Sequence, residues 1–255
     1  MKRSSGLLVG AIFGMVGIMA QPASAAEIKV LTTGAFKQVL LALVPEYEKA
    51  TGNKVVVDNG TVGQLQKRVD DGEAFDVLVL SPKGIDDYIK SGKIAAGSNA
   101  RVGKVGVGVM VKEGAPKPDI GTVDAFKQAL LKAKTVGYID PASGGSSGIY
   151  VADLLVKLGI ADHIKPKAKL QKGGHVSDLV KAGEAEIGIH QIGEIIGQPG
   201  VTLVGPLPAE IQNYTVYAVG VGAHAKEAEA AKAFIKVLTG PSAASVLKSK
   251  GLEGA

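Results

Sequence analysis

The chain has 255 residues and no cysteine, which excludes disulfides, thiol catalysis and Cys-ligated metal sites. Its 29 basic and 24 acidic residues leave a net charge of +5, a small and scattered excess that argues against a nucleic-acid partner. With 46% hydrophobic residues and 21% charged ones, the composition is that of a globular protein with a sizeable core.

The first segment reads as a targeting signal. Lys2 and Arg3 precede an uncharged apolar run from Gly6 to Ala20, and Ala23 and Ala25 stand at the −3 and −1 positions of a cleavage site. That pattern predicts a cleaved secretory signal over residues 1–25, the run being short for a membrane span. A periplasmic protein is therefore expected. Its remaining 230 residues carry a net charge of +3 once Lys2 and Arg3 are gone, enough chain for one large or two small domains.

Short apolar strands then alternate with amphipathic helices. Strands are expected at 28–32, 54–58, 76–80, 101–111, 135–139, 186–190, 201–205 and 214–222. Phe36, Val39, Leu40, Leu43, Val44 and Tyr47 recur at helical spacing, as do Val151, Leu154, Leu155 and Leu158, and Val176, Leu179 and Val180. Pro45 is expected to kink or split the first helix. Alternating strands and helices predict open, mostly parallel sheets flanked by helices. The two long strands, 101–111 and 214–222, suggest crossings between two lobes with a cleft between them. The expected division is 26–105 plus 217–255 for the first lobe and 106–216 for the second.

Ligands of open α/β sheets bind beyond the carboxyl ends of the strands, where loops enter helices. Several such loops end in small or hydroxyl residues: Thr33 and Gly34 in "LTTGAF", Thr61 in "DNGTVG" and Ser81 in "LSPKG". The richest is "PASGGSSGIY", with Ser143, Gly144, Gly145, Ser146 and Ser147 at the mouth of a helix. Glycines let backbone N–H groups approach an anion at a helix N-terminus, and serines add hydroxyl donors. An ordinary serine-capped turn is the alternative. The same run also matches the G-x-S-x-G nucleophile elbow, but four residues separate strand from elbow where a tight turn is needed.

Other signatures are weak. The glycines of "GKVGVG" lie within a strand and open no helix, so they do not form a dinucleotide fingerprint. The lysines at 165, 167, 169 and 172 read as a solvated edge. His163, His175, His190 and His224 share no metal-ligand spacing, and neither a metal nor a cofactor is expected. His190, at a strand end and followed by Gln191, is the histidine best placed for a ligand.

The blocks "IKVLTTGAFKQVLLALVPEYEKATGNKVVV", "GTVGQLQKRVDDGEAFDVLVLS", "DPASGGSSGIYVADLLVKLGI" and "KAGEAEIGIHQIGEI" resemble the molybdate-binding-protein-like branch of periplasmic solute-binding proteins, across essentially the whole mature chain. The resemblance implies a type II two-lobed α/β fold joined by two crossing strands. It also implies a small anionic ligand, an ABC importer as partner and a monomeric state. Carried over by position, it implicates Thr61, Ser147, Val176 and Gln191 in ligand contact. Ala35 stands where molybdate binders have a serine, and Gln191 where they have a closing tyrosine. With two donors changed and the glycine–serine loop enlarged, a small carboxylate fits better than a tetrahedral oxyanion. The same branch resembles aconitate isomerase, a periplasmic enzyme on this fold. In that alternative His190 or Glu194 supplies the base for an allylic proton shift without a cofactor. In the binder reading both residues only line the cleft.

Overall fold

The computed structural model describes residues 25–254, so the expected signal segment, apart from Ala25, lies outside the described residues. The chain opens with β1 (Glu27–Thr33), α1 (Gly34–Thr51), β2 (Lys54–Gly60), α2 (Val62–Asp70), β3 (Val77–Leu80) and α3 (Pro82–Lys90). It continues with β4 (Ala100–Lys112), α4 (Val123–Lys132), β5 (Val136–Ile139), α5 (Ser146–Lys157), α6 (Ala161–Ile164) and β6 (Ala168–Gln171). Next come α7 (Val176–Lys181), β7 (Ile187–Gln191), β8 (Val201–Pro206), β9 (Tyr214–Val221), α8 (Ala228–Leu238), α9 (Pro241–Ser249) and β10 (Leu252–Glu253). No helix among the described residues is long and apolar enough to cross a membrane.

Two sheets share one strand. The hydrogen-bonded order is β2-β1-β3-β9-β4-β7-β5-β6, with β8 and β10 also on β4. The outer strands of each half are parallel, β2-β1-β3 on one side and β7-β5-β6 on the other, and every antiparallel pairing involves β4 or β9. β4 pairs with β9 as far as Gly106 and with β7 from Val107 onward. It is therefore the strand that passes from one sheet to the other. β9 stays within the first sheet, and the return crossing is the irregular stretch between β8 and β9. There the Gln212 amide does the work of a strand: Nε2 donates to Val107 O at 2.9 Å, and Oε1 accepts from Val107 N at 2.8 Å.

Packing divides at the same point. One pair of core clusters draws on residues 28–105 and 217–252, including Phe36, Tyr47, Tyr217 and Phe234; the other draws on residues 107–207, including Phe126, Val136 and Leu154. Helix α1 shows how the sequence secures this. Phe36, Val39, Leu40, Leu43 and Tyr47 are at most 2% exposed along one face. Each such side chain contributes roughly 1.5–3 kcal/mol of burial. Tyr47 meets Phe234 edge-on at 5.0 Å, and Phe36 meets Tyr217 at 5.6 Å.

Contrary to expectation, Pro45 does not split α1, which runs unbroken to Thr51. Pro45 and Leu41 both lie on the solvent face. The Leu41 carbonyl that loses its partner there is open to water, so the missing N–H is tolerated. The helix stops at Gly52, whose φ of 76° suits glycine and whose N–H reaches Glu48 O at 2.8 Å.

β6, which the sequence pattern did not suggest, is the edge strand inside the lysine cluster. Lys169 is exposed on it, as charges on an edge strand often are. The neighbouring Lys167 does structural work, its ammonium donating to the carbonyls of Leu130, Leu131 and Ala133 at the end of α4 at 2.6–2.9 Å.

Candidate functional site

A cavity of about 190 Å³ opens where the carboxyl ends of β1, β2, β5, β6 and β7 converge. Thr33 and Gly34 enter it from the β1–α1 junction, and Asn59, Gly60 and Thr61 from the end of β2. On the other side, Ile139, Gly145, Ser146 and Ser147 come from the β5–α5 loop and Gly173 and Gly174 from the loop after β6. His190, Gln191 and Glu194 line it from β7 and the 3-10 turn Ile192–Glu194, and Tyr217 from β9.

Helix ends decide how such walls treat a charge. α2, α3 and α4 are closed by side-chain caps from Thr61, Ser81 and Thr122. The first turn of α2 lines the cavity with its cap in place, whereas α1 and α5, whose first turns also face the cavity, carry no side-chain cap. Their leading N–H groups and positive dipole ends suit an anion.

The residues singled out from sequence separate into three groups. Thr33, Gly34, Gly145, Ser146, Ser147, His190 and Gln191 line the cavity, as does Glu194. Thr61 also lines it, but its hydroxyl is committed: it accepts from Gln64 N at 3.2 Å and donates to Ser143 O at 2.5 Å. Ser81, Ser143, Gly144 and Val176 do not line it. The Ser81 hydroxyl accepts from Gly84 N and caps α3. Ser143 donates its hydroxyl to Asp140 O at 2.7 Å, and Gly144, with φ of 71°, accepts from Gly63 N at 3.3 Å through its carbonyl. These two residues thus close a turn and bridge the two halves of the molecule rather than facing a ligand. Val176 packs its side chain into the core with Met110 and Ile139.

The glycine–serine loop therefore divides its labour, with Pro141 to Gly144 as turn and bridge and Gly145 to Ser147 as cavity wall. Gln191 holds that wall in place. Its Nε2 donates to Ser146 Oγ at 3.0 Å and Thr215 Oγ1 at 2.8 Å, while its Oε1 accepts from the Tyr217 hydroxyl at 2.9 Å. Because Ser146 accepts there, its own hydroxyl hydrogen is left for another partner.

The opposite end of the cavity is ionisable. Glu194 Oε2 lies 3.2 Å from His190 Nε2, and Glu194 Oε1 lies 3.9 Å from His175 Nδ1. Both members of the closer pair are buried, Glu194 at 7% and His190 at 1% exposure. Burial pushes the Glu194 carboxyl up to about 8 and the His190 imidazole down to about 3, so each favours its neutral form near pH 7. Burial also lowers His175. Glu194 is pressed against the start of α1, where a β-carbon at Gly34 would overlap its Oε1. Thr33 Oγ1, His190 Nδ1, His175 Nδ1 and Ser177 Oγ are buried without a hydrogen-bond partner among the described residues. Buried polar atoms are nearly always paired, and of these four Thr33 and His190 line the cavity.

Sequence reasoning missed Asn59, Gln64, Gly173, Gly174, Thr215 and Tyr217. The last two sit on a strand that reads as apolar, and only sheet pairing brings them to Gln191. For Glu194 a signal existed: it stands four residues after His190, with a strand end and a tight turn folding the two together.

A two-lobed α/β fold with a cavity at the strand ends, lined by uncapped helix starts and hydroxyls, defines the class of solute-binding proteins. The family model for bacterial extracellular solute-binding proteins matches residues 28–253, and the chain belongs to that family. Among curated relatives, an aconitate isomerase from a Pseudomonas species is 31% identical over 242 residues, covering 92% of this chain and 90% of that protein. The molybdate-binding protein ModA of Azotobacter vinelandii is 28% identical over 247 residues, covering 92% and 93%. The solved structure of the periplasmic molybdate-binding protein of that bacterium superposes with a TM-score of 0.75 at 20% identity, covering 88% of this chain and 98% of that one.

Proposed function

We propose that the protein is periplasmic, encloses a small unsaturated polycarboxylate in this cavity and shifts a proton along it. The observation that carries the reading is the buried Glu194–His190 pair in a wall otherwise built for an anion. A carboxyl that only flanked an anion site would repel its ligand whenever ionised. Burial that raises its pKa removes the repulsion at neutral pH and matches the group to proton transfer. The 31% identity to an aconitate isomerase over nearly the whole chain supports the same reading.

The chemistry is a 1,3-shift with no change of oxidation state. Glu194 acts as the base in its ionised form, a minor fraction near pH 7 that grows as pH approaches 8, and takes a proton from a methylene beside the carbon–carbon double bond. The released C–H electron pair becomes the new double bond, and the old π pair moves to the far alkene carbon. That carbon then takes a proton back from the protonated Glu194. The negative charge that develops on the adjoining carboxylate is met by Ser146, Ser147 and the first turn of α5. His190 Nε2, 3.2 Å from Glu194 Oε2, stands within reach of that proton. A side chain at position 34 would displace the Glu194 carboxyl, which occupies the space its β-carbon would need.

The test is incubation of the protein with trans-aconitate in D₂O, following isomer ratio and deuterium uptake by NMR, with binding measured in parallel by calorimetry. Isomerisation abolished by Glu194→Gln, with binding retained, is expected. Tight binding with neither isomerisation nor deuterium uptake would favour the second reading, capture for an ABC importer. Family membership and the two-lobed architecture support that reading.

A further inference from the structure

We propose that Lys37 is the specificity-determining cation of this site, recognising a second carboxylate of the ligand at the cavity mouth. The inference rests on the carboxylate reading above. The cavity wall contains no lysine or arginine, so the helix starts and hydroxyls are all it offers to a first anionic group. A di- or tricarboxylate brings charge that those groups do not neutralise. Lys37 lies three residues after Gly34 on α1, hence on the same face and one turn further out. Its ammonium donates to Asn59 Oδ1 at 2.8 Å, and Asn59 lines the cavity.

No carboxylate among the described residues lies within salt-bridge distance of Lys37, as is true of most of the other lysines; the side-chain partner of its ammonium is the neutral Asn59 amide. An amide oxygen orients an ammonium without cancelling its charge, and two of its three hydrogens stay available. Lys37 is half-buried, which lessens screening by water. Its charge is felt across the cavity, where it contributes to lowering His175 on the other lobe. The cation thus faces the space between the lobes while fastened to only one of them.

The experiment compares wild type, Lys37→Gln and Lys37→Arg by calorimetry with tricarballylate, a saturated tricarboxylate that cannot undergo the shift, and with butyrate, at low and high salt. Loss of a half-buried charge-assisted contact predicts roughly ten-fold or more weaker tricarballylate binding by Lys37→Gln. Butyrate affinity should change less than about two-fold, Lys37→Arg should recover part of the loss, and the salt sensitivity of tricarballylate binding should fall. Unliganded melting temperatures identify any variant that fails to fold, and Lys37→Arg then carries the comparison through its tricarballylate-to-butyrate selectivity. Equal loss for both ligands, or unchanged tricarballylate binding in Lys37→Gln, would overturn the role of Lys37 while leaving the carboxylate reading intact. If wild type binds no polycarboxylate at all, the ligand class falls and this role falls with it. Binding without turnover of aconitate removes only the proton shift, and the Lys37 prediction stands.

Discussion

Glu194 and His190 are two buried groups whose proton uptake on folding has opposite sign. An unfolded glutamate releases its proton near 4.5, whereas in the folded chain Glu194 keeps it up to about 8. The folded state binds the extra proton across that window, so this contribution to stability is lost as pH rises from 4.5 to 8. His190 is neutral in the folded chain down to about 3, against 6.5 when unfolded, so its contribution is lost as pH falls from 6.5 towards 3. Between 4.5 and 6.5 the two slopes oppose each other. The expected melting profile is therefore level around pH 5–6 and declines between pH 7 and 8. Glu194→Gln should flatten the upper decline in scanning calorimetry. An unchanged decline in that variant would mean that Glu194 is not the group holding the proton. At this scale the sequence was informative about His190, Gln191 and Glu194, because all three follow one apolar strand. Tyr217 and Asn59 were not legible as cavity residues, nor Thr215 as a partner of Gln191, because strand pairing is what brings them there.

At the scale of elements, one carboxylate ties three segments together. Asp76, 5% exposed just before β3, accepts from Lys29 N of β1 at 2.8 Å and from Glu227 N ahead of α8 at 3.1 Å. Hydrogen bonds to a charged acceptor contribute about 1.5–3 kcal/mol each, and removing the acceptor leaves two backbone donors unpaired. Asp76→Ala should cost about 2–4 kcal/mol in urea unfolding, with ligand affinity unchanged because the cavity lies at the opposite end of these strands. A loss below 0.5 kcal/mol would show that water replaces the carboxylate. Helices and most strands were legible because their apolar periods are local. β6 was not, being a short lysine-bearing edge with one exposed leucine, Leu170. Pro45 misled for a related reason: the cost of a helical proline falls where the carbonyl it orphans can meet water, and sequence does not say which face that is.

At the scale of the molecule, the two halves touch across the cavity at glycines. Thr61 Oγ1 reaches Ser143 O, Gly63 N reaches Gly144 O, and a β-carbon at Gly63 would meet the Gly144 backbone at 3.1 Å. Closure of the two halves upon each other would make these contacts, with β4 and the Gln212 crossing as connections. Gly63 sits in the first turn of α2 with an ordinary backbone conformation, so Gly63→Val adds bulk at the contact without backbone strain. The variant should bind ligand at least ten-fold more weakly at an unchanged unliganded melting temperature. X-ray scattering at saturating ligand should give it a larger radius of gyration than wild type. Identical affinity and identical profiles would show that the glycine contact plays no part in closure.

Much was decided by the chain's own order. Alternating period-2 and period-3.6 patterns, two unusually long strands and a set of small-residue loops at strand ends specify an α/β protein with its ligand loops on one edge. These signals are legible because periodicity and turn chemistry act over a few residues. Only the tertiary structure decided the division within the loops: Gly145 to Ser147 face the cavity, while Ser143 and Gly144 bridge the two halves and Ser81 caps its own helix. It also decided that Glu194 is buried against Gly34 and His190, and that the Lys37 ammonium reaches Asn59, a residue of the cavity wall. Burial, and with it the protonation of a carboxyl, depends on which distant segments exclude water from it, and no local pattern carries that information.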